Sequence, residues 1–359
     1  MEAVKEVKMF EVILACDFYE EDLPEFAKQE WDSQSTFLEI QEILRSNGYA
    51  CTIVNGTFEL IETLCDRIRK RQQLVVWNGI EGFGSRNREA YVPAICESLG
   101  VSYTGSDSYA NAITLDKFLT KQIAKNCGLE IPNALKFSFA EWKASEAKVL
   151  KSLRKNFLDF QKPFFLKPNG EGSSIGIFDD SIVTNPSQIR KYFQTFQSKS
   201  EFDSQTEFLA EEYLPGNEFT LGFFSEKGKI YFLPLLKVTT KDRVYSFSVK
   251  SKSGRSEKLS VIKPQWDKTL QKKVSSLFRE LGITGFGRMD LKEDERGVPK
   301  FLELNLTPGF SKEYSSLPYA WKKSGKTFDE LVLKNVQLGI QEQKHKKFAY
   351  GNYRRENLH

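Results

Sequence analysis

Gly285-Phe286-Gly287-Arg288-Met289-Asp290 and, after a short interval, Phe301-Leu302-Glu303-Leu304-Asn305-Leu306-Thr307-Pro308-Gly309 are two apolar runs that carry oxygen-bearing side chains at their ends. The polar stretch between them contains Gly297 and Pro299 and reads as a turn, so the two runs read as a hairpin. Pairing would bring Asp290, Glu303 and Asn305 to one end of a sheet, with Arg288 just before the first acid. Hard oxygen ligands of this kind suit Mg²⁺, which keeps several waters and is usually shared with nucleotide phosphates. The plain alternative is an ordinary hairpin with solvated acids. Arg288, Asn305 and the Pro308-Gly309 turn weigh against it, and a second motif weighs more.

That motif is Phe164-Phe-Leu-Lys167-Pro-Asn-Gly170-Glu-Gly172-Ser173-Ser174-Ile-Gly176-Ile177. It reads as a strand, a glycine-rich loop with two hydroxyls, and a second strand. Glycines let backbone N–H groups approach an anion closely, and Lys167 adds a point charge for phosphate. No Gly-Lys-Ser/Thr follows the glycines, so this is not a Walker A loop. A flexible hairpin tip is the alternative, and the acidic hairpin downstream favours phosphate binding over it.

In order, the chain reads Lys167-Pro-x-x-Glu-Gly-Ser-Ser-x-Gly, Glu211-Glu-Tyr-Leu-Pro-Gly-Asn-Glu218-Phe-Thr, Gly-Arg288-Met-Asp290 and Glu303-Leu-Asn305-x-x-Pro-Gly309. This order resembles the ATP-grasp superfamily and, within it, the D-alanine–D-alanine ligase family. Tyr103-Thr-Gly-Ser106, Leu115-Asp-Lys117-Phe and Gly128-Leu-Glu-Ile-Pro132 resemble the same family upstream. The likeness runs from about Leu74 to about Leu338, and more weakly to the N-terminus.

The resemblance implies ATP and two Mg²⁺ ions, with Mn²⁺ as a substitute, held by Asp290, Glu303 and Asn305. Lys117 and Lys167 match phosphate-contacting lysines, with Glu171 and Ser174 beside them on the glycine-rich loop. Glu211, Glu212, Tyr213 and Leu214 match the adenine-side strand, and Glu218 the ribose position. Arg288 and the N–H of Gly309 match groups that stabilise the transferring phosphate and the tetrahedral oxyanion. Ser173 falls where a loop hydroxyl meets the amino acids. Val244–Gly254 resembles a loop that closes the site, with Lys250 as its nucleotide contact. Plain turn serines and a solvated basic loop are the alternatives for the last two.

Three segments depart from the family. Ser251 stands where a tyrosine commonly follows the loop lysine. The first strand leads into Cys16-Asp17-Phe-Tyr-Glu-Glu, without the Gly-Gly-x-Ser-x-Glu whose glutamate binds the donor amine. The histidine-glycine after the third strand is replaced by Asn78-Gly79-Ile-Glu81-Gly82-Phe-Gly84-Ser-Arg86-Asn-Arg88-Glu89. All three surround the donor amino acid. Asp17 and Glu81 are the acids that stand there. The acceptor-carboxylate contact falls on Ser315 or Ser316.

The 359 residues are enough for more than one domain, and 29 Phe with 13 Tyr exclude a disordered chain. A net charge of +4 does not argue for nucleic acid. The cysteines Cys16, Cys51, Cys65, Cys96 and Cys127 are scattered without a C-x-x-C, which fits free thiols in a reducing compartment. His345 and His359 both lie near the C-terminus, against a histidine triad, a zinc site or a histidine base. No run approaches the ~18 apolar residues of a membrane span, and the N-terminus lacks an apolar signal core, so a cytoplasmic setting is expected.

Phe10–Cys16, Ala50–Val54 and Leu74–Trp77 read as strands. The helix between the first two carries Phe37, Ile40 and Leu44, and the next carries Leu60, Leu64 and Ile68. That order predicts an α/β chain: an N-terminal doubly wound parallel-sheet domain followed by a two-part α+β ATP-grasp domain. The expected limits are 1–104 for the substrate-side domain, 105–207 for a central lid and 208–343 for the catalytic part, with a basic tail over 344–359. The function implied is ATP-dependent joining of a carboxylate to an amine through an acyl phosphate, with D-alanyl-D-alanine for peptidoglycan as the product. The partners are small amino acids, with neither nucleic acid nor membrane, and the family's habit points to a homodimer. A related ligase with other substrates is the alternative, and a non-catalytic nucleotide-binding module the second.

Overall fold

The computed structural model describes residues 10–18, 31–172, 174–198, 205–239, 258–262 and 268–345. The first sheet is parallel, in the order β2-β1-β3-β4, from β1 (Phe10–Cys16), β2 (Ala50–Asn55), β3 (Gln73–Gly79) and β4 (Ser102–Tyr103). Helices α1 (Gln34–Ser46), α2 (Gly56–Arg69) and α3 (Tyr91–Leu99) make the crossovers. Both faces of β1 are buried, as a parallel sheet requires. Val12, Leu14 and Cys16 enter one core with Phe37, Ile40 and Leu44 of α1. Ile13 and Ala15 enter the other with Leu60 and Leu64 of α2. The period of two along the strand thus divides one apolar run between two cores.

The second sheet is antiparallel, in the order β5-β8-β6-β7, from β5 (Ala134–Ser138), β6 (Phe164–Pro168), β7 (Ile182–Val183) and β8 (Glu207–Glu212). With it go α6 (Phe139–Ala144), α7 (Glu146–Asn156) and α8 (Pro186–Ser198). Their shared core is aromatic, with ring centroids 4.9 Å apart for Trp142–Phe193 and 4.7 Å for Phe196–Phe208. A capping box between Ser138 and Glu141 starts α6 directly from β5.

The third sheet has the order β12-β11-β9-β13-β14, with β10 paired to β9. Its strands are β9 (Glu218–Glu226), β10 (Lys229–Phe232), β11 (Leu236–Thr239), β12 (Lys258–Val261), β13 (Gly285–Glu293) and β14 (Pro299–Asn305). Residues of α4 (Ser108–Leu115), α5 (Lys117–Asn126) and α9 (Lys268–Glu280) share its core. Helices α10 (Ser316–Lys323) and α11 (Phe328–His345) return the chain to the first sheet, where Leu331, Val332 and Val336 join the core of Val12 and Trp77.

Position 207/208 lies inside β8, so the second sheet draws a strand from both sides of that expected limit. Lys344 and His345 end α11, and the rest of the basic tail lies outside the described residues. The strand expected directly after the glycine-rich loop does not form there. A turn through Ser174–Gly176 and a short 3-10 turn at Asp179–Ser181 come first, and pairing resumes only at β7. The reason is close packing. A Cβ at Gly176, where φ is +70°, would stand 2.4 Å from Pro168 Cγ, so the loop folds back on the end of β6. Gly176→Ala combines overpacking with a left-handed backbone and is expected to cost roughly 2 kcal/mol or more. Its melting temperature should fall, and wild-type stability in that variant would refute the packing.

Candidate functional site

The hairpin read from the sequence is present. Asp290 of β13 is registered opposite Glu303 of β14, and Arg288 opposite Asn305. A register shift follows Asp290, and β9 lies on the other side of β13 with Thr220 opposite Asp290. Arg288 Nε lies 3.1 Å from Asp290 Oδ1 and donates to Oδ2 at 3.2 Å. Asp290 Oδ1 is buried, with the Arg288 guanidinium beside it. Asn305 Oδ1 accepts from the N–H of Thr307 at 3.0 Å.

Three lysines face these acids. Asp116 caps α5, accepting from the N–H of Leu119, and places Lys117 in the first turn. Lys117 Nζ lies 3.5 Å from Glu303 Oε2 and donates to the carbonyl of Glu171. Four residues on, Lys121 is on the same helical face and wholly buried; its Nζ lies 3.1 Å from Glu211 Oε2 and donates to the carbonyl of Leu302. Lys167, at the end of β6, lies 2.5 Å from Glu211 Oε1. Glu211 is therefore shared between two buried ammonium groups.

The charges follow from this packing. Burial raises Asp290, and the Arg288 guanidinium only partly opposes it. Burial also works to raise Glu303, but Lys117, Lys167, Lys121 and Arg288 outweigh it and bring the carboxyl to about 2. Burial lowers Lys121 to about 8 against the pull of Glu211. Burial would lower Lys167 too, but Glu211 and Glu303 more than compensate and raise it.

Around these groups lies an open cleft. It is lined by Lys117, Lys167, Glu171, Ser174, Glu211, Glu212, Tyr213, Leu214, Glu218, Asp290 and Glu303, all singled out from the sequence. Phe165, Ile175, Ile177 and Leu302 supply apolar wall. The cleft thus combines apolar wall with cations and carboxylates. Ser173 and the whole 244–254 loop, Lys250 and Ser251 included, lie outside the described residues.

Toward the first sheet, a Cβ at Gly309 would meet Ser315 Oγ at 2.7 Å and Asp32 Oδ1 at 3.7 Å. Ser315 is thus the serine beside Gly309, while Ser316 opens α10. Asp17, after β1, accepts from the N–H of Gly82 at 2.7 Å. Glu81, after β3, accepts from Thr307 Oγ1 at 3.3 Å, which brings it to the Asn305–Gly309 loop.

Four residues were missed in the sequence. Lys121 could have been found from its four-residue spacing to Lys117. Lys292, which lines the cleft and pairs with Glu218 at 2.8 Å, could have been found two residues beyond Asp290 on the same strand face. Asp32 accepts from the N–H of Phe310 at 3.1 Å and from Tyr314 Oη at 2.6 Å, and no local pattern announces contacts so distant in the chain. Arg88 reaches the glycine-rich loop and is likewise silent in the sequence.

Two antiparallel sheets flanking a lysine-lined, acid-floored cleft, set beside a parallel-sheet unit, define an ATP-grasp protein. Residues 123–337 match the family described as D-ala D-ala ligase C-terminus. A D-alanine–D-alanine ligase of Carboxydothermus hydrogenoformans is 31% identical over 307 residues, covering 83% of this chain and 90% of that one. The D-alanine–D-alanine ligase of Bacillus anthracis complexed with ATP superposes with a TM-score of 0.69 at 20% identity, over 93% of this chain and 99% of that one. The VanG D-Ala:D-Ser ligase of Enterococcus faecalis superposes with a TM-score of 0.67 at 16% identity, over 92% and 100%. The chain belongs to the D-alanine–D-alanine ligase family.

Proposed function

We propose that this chain is an ATP-dependent ligase that joins two D-alanines, with the dipeptide destined for peptidoglycan. The observation that carries the reading is the registered Asp290–Glu303 pair on the wall of a cleft that also holds Lys117 and Lys167. A carboxylate is a poor electrophile, and phosphorylating it overcomes this. The donor carboxylate oxygen attacks the γ-phosphorus of ATP, forming an acyl phosphate and releasing ADP. The acceptor amine then attacks the carbonyl carbon, loses its proton, and phosphate leaves as the C–O bond breaks. No side-chain nucleophile is needed. Lys117 and Lys167 hold phosphate charge, and Arg288, always charged, serves the transferring phosphate and then the oxyanion. The N–H of Gly309 is a second oxyanion donor, and Ser315 beside it is the acceptor-side hydroxyl. Glu211 acts by holding Lys167, since its carboxylate is already taken by two lysines.

Asp290, Glu303 and Asn305 would hold Mg²⁺, or Mn²⁺ in its place. The donor set fits: Asp290 Oδ1 is buried beside the Arg288 guanidinium, which opposes the burial of that carboxylate only in part and leaves charge that a metal cation would offset. The bound metal supplies neutralisation of phosphate charge. In domain terms, the parallel sheet is the amino-acid side, the second sheet the lid and the third the catalytic floor. No described helix is long and apolar enough to cross a membrane. The free cysteines, three of them buried, support a cytoplasmic setting, and a homodimer is the assembly we expect there.

The altered donor side favours one second reading, a ligase of the same mechanism with another donor. Asp17 is engaged by the backbone of Gly82, and Asn78-Gly79 stands where the family has histidine-glycine. Phosphate release from ATP and Mg²⁺ with D-alanine, beside single and paired D- and L-amino acids and with products weighed by mass spectrometry, separates the two. D-alanine-dependent release with the dipeptide mass is expected. Turnover only with another pair moves the substrate and keeps the mechanism, and silence throughout overturns both.

A further inference from the structure

Arg88 is only 1% exposed, although it sits in the connection between β3 and α3. A guanidinium removed from water needs partners. Two lie on the glycine-rich loop: Nη1 donates to the Gly170 carbonyl at 2.7 Å, and Nη2 lies 3.6 Å from Glu171 Oε2. Lys117 grips the same stretch through the Glu171 carbonyl. On its own side, Arg88 packs against the turn held by Asp17. A Cβ at Gly82 would stand 3.1 Å from Arg88 Cβ, and the Gly82 N–H is the one that Asp17 accepts. A continuous packed series thus runs from the end of β1 through Gly82 and Arg88 to Gly170–Glu171, and through Lys117 to Glu303. Arg88 itself does not line the nucleotide cleft.

We infer that Arg88 is a positioning residue that couples the amino-acid side of the site to the nucleotide side by anchoring the glycine-rich loop to the Asp17–Gly82 turn. The inference rests on the reading that this loop covers the ATP phosphates. A loop anchored at Gly170 has less freedom left to lose when ATP binds. If the donor amino acid orders the Asp17–Gly82 turn, it orders the anchor, and ATP then binds more tightly. Linkage makes the effect mutual, so ATP tightens the amino acid by the same factor. Arginine suits the task because one planar group reaches a carbonyl and a carboxylate together. Lysine, with a single nitrogen on a shorter stem, would hold one of them.

The test measures binding of a non-hydrolysable ATP analogue with Mg²⁺ by calorimetry, with and without saturating amino acid. The amino acid is D-alanine or, where D-alanine does not support phosphate release, the one that does. In the wild type the analogue is expected to bind about fivefold more tightly with the amino acid present. In Arg88→Met the analogue alone should weaken about tenfold, the loss of a charge-assisted hydrogen bond, and the ratio should fall to about one. Arg88→Lys should recover part of both. A merely structural role would lower the melting temperature and leave the ratio intact. The same ratio in Arg88→Met as in the wild type, or a wild-type ratio of one, overturns the inference. If Arg88→Met does not fold, Arg88→Lys decides it, because unchanged affinity and ratio there refute the anchor. A wild type that binds no analogue overturns the ligase reading instead, and the inference falls with it.

Discussion

Asp290→Asn is expected to lower turnover by about a thousandfold or more, roughly 4 kcal/mol of transition-state stabilisation, while the protein without metal melts at the same temperature or higher. The two effects have opposite signs for one reason. Without metal, Asp290 is a buried carboxylate opposite Glu303, and burial is the largest influence raising it. An amide of the same shape removes one desolvated charge and still offers an oxygen to Arg288. With metal and nucleotide, the missing charge is the one the chemistry needs. Phosphate release measures the first effect. Thermal melts with and without Mn²⁺ measure the second, and metal should raise the melting temperature of the wild type only. Near-normal turnover in Asp290→Asn would remove the metal assignment.

Glu211→Gln should be the most damaging substitution to stability, about 3–5 kcal/mol, the range for breaking a buried ion pair. Its carboxylate lies between Lys121 and Lys167, both nine-tenths or more buried, and the change leaves two ammonium groups with one neutral amide. Burial already holds Lys121 at about 8, below the ordinary lysine value, so the folded protein releases this proton before the unfolded chain does. Between those two values the unfolded chain binds more protons, and stability therefore rises with pH. In Glu211→Gln the loss of the carboxylate lowers Lys121 further and widens that window downward. The deficit, read by urea unfolding, should be largest near neutrality and shrink toward pH 10. A variant as stable as the wild type, or one whose deficit grows with pH, would show that Glu211 does not hold these lysines.

Much of the candidate site was legible because its signals are local. Asp290 and Glu303 end apolar runs separated by turn residues, and the strand period carries them to one place. Lys117 follows an acid that caps a helix, and Lys167 closes a strand before glycines. The N-terminal strands were legible as short continuous apolar runs, and the helices between them because their apolar residues recur at helical spacing. The misread strand after the glycine-rich loop failed for a nonlocal reason: Ile175-Gly-Ile177 has strand composition, but the contact of Gly176 with Pro168 turns the chain back. The expected limit at 207/208 ran through β8 because a strand's membership in one sheet or another depends on its partners, here β5 and β6.

By itself the sequence determined most of the order of elements, many of the side chains that line the cleft and the family, because spacing along the chain carries all of these. Only the tertiary structure decided that Glu211 is shared by Lys121 and Lys167, that Ser315 rather than Ser316 stands beside Gly309, and that Asp32 and Arg88 reach across from the first sheet. Apart from the approach of Ser315 to Gly309, which are near in the chain, those contacts join residues tens to hundreds of positions apart. Burial and charge pairing between sheets create them, and no periodicity within one segment encodes which distant partner a side chain will meet.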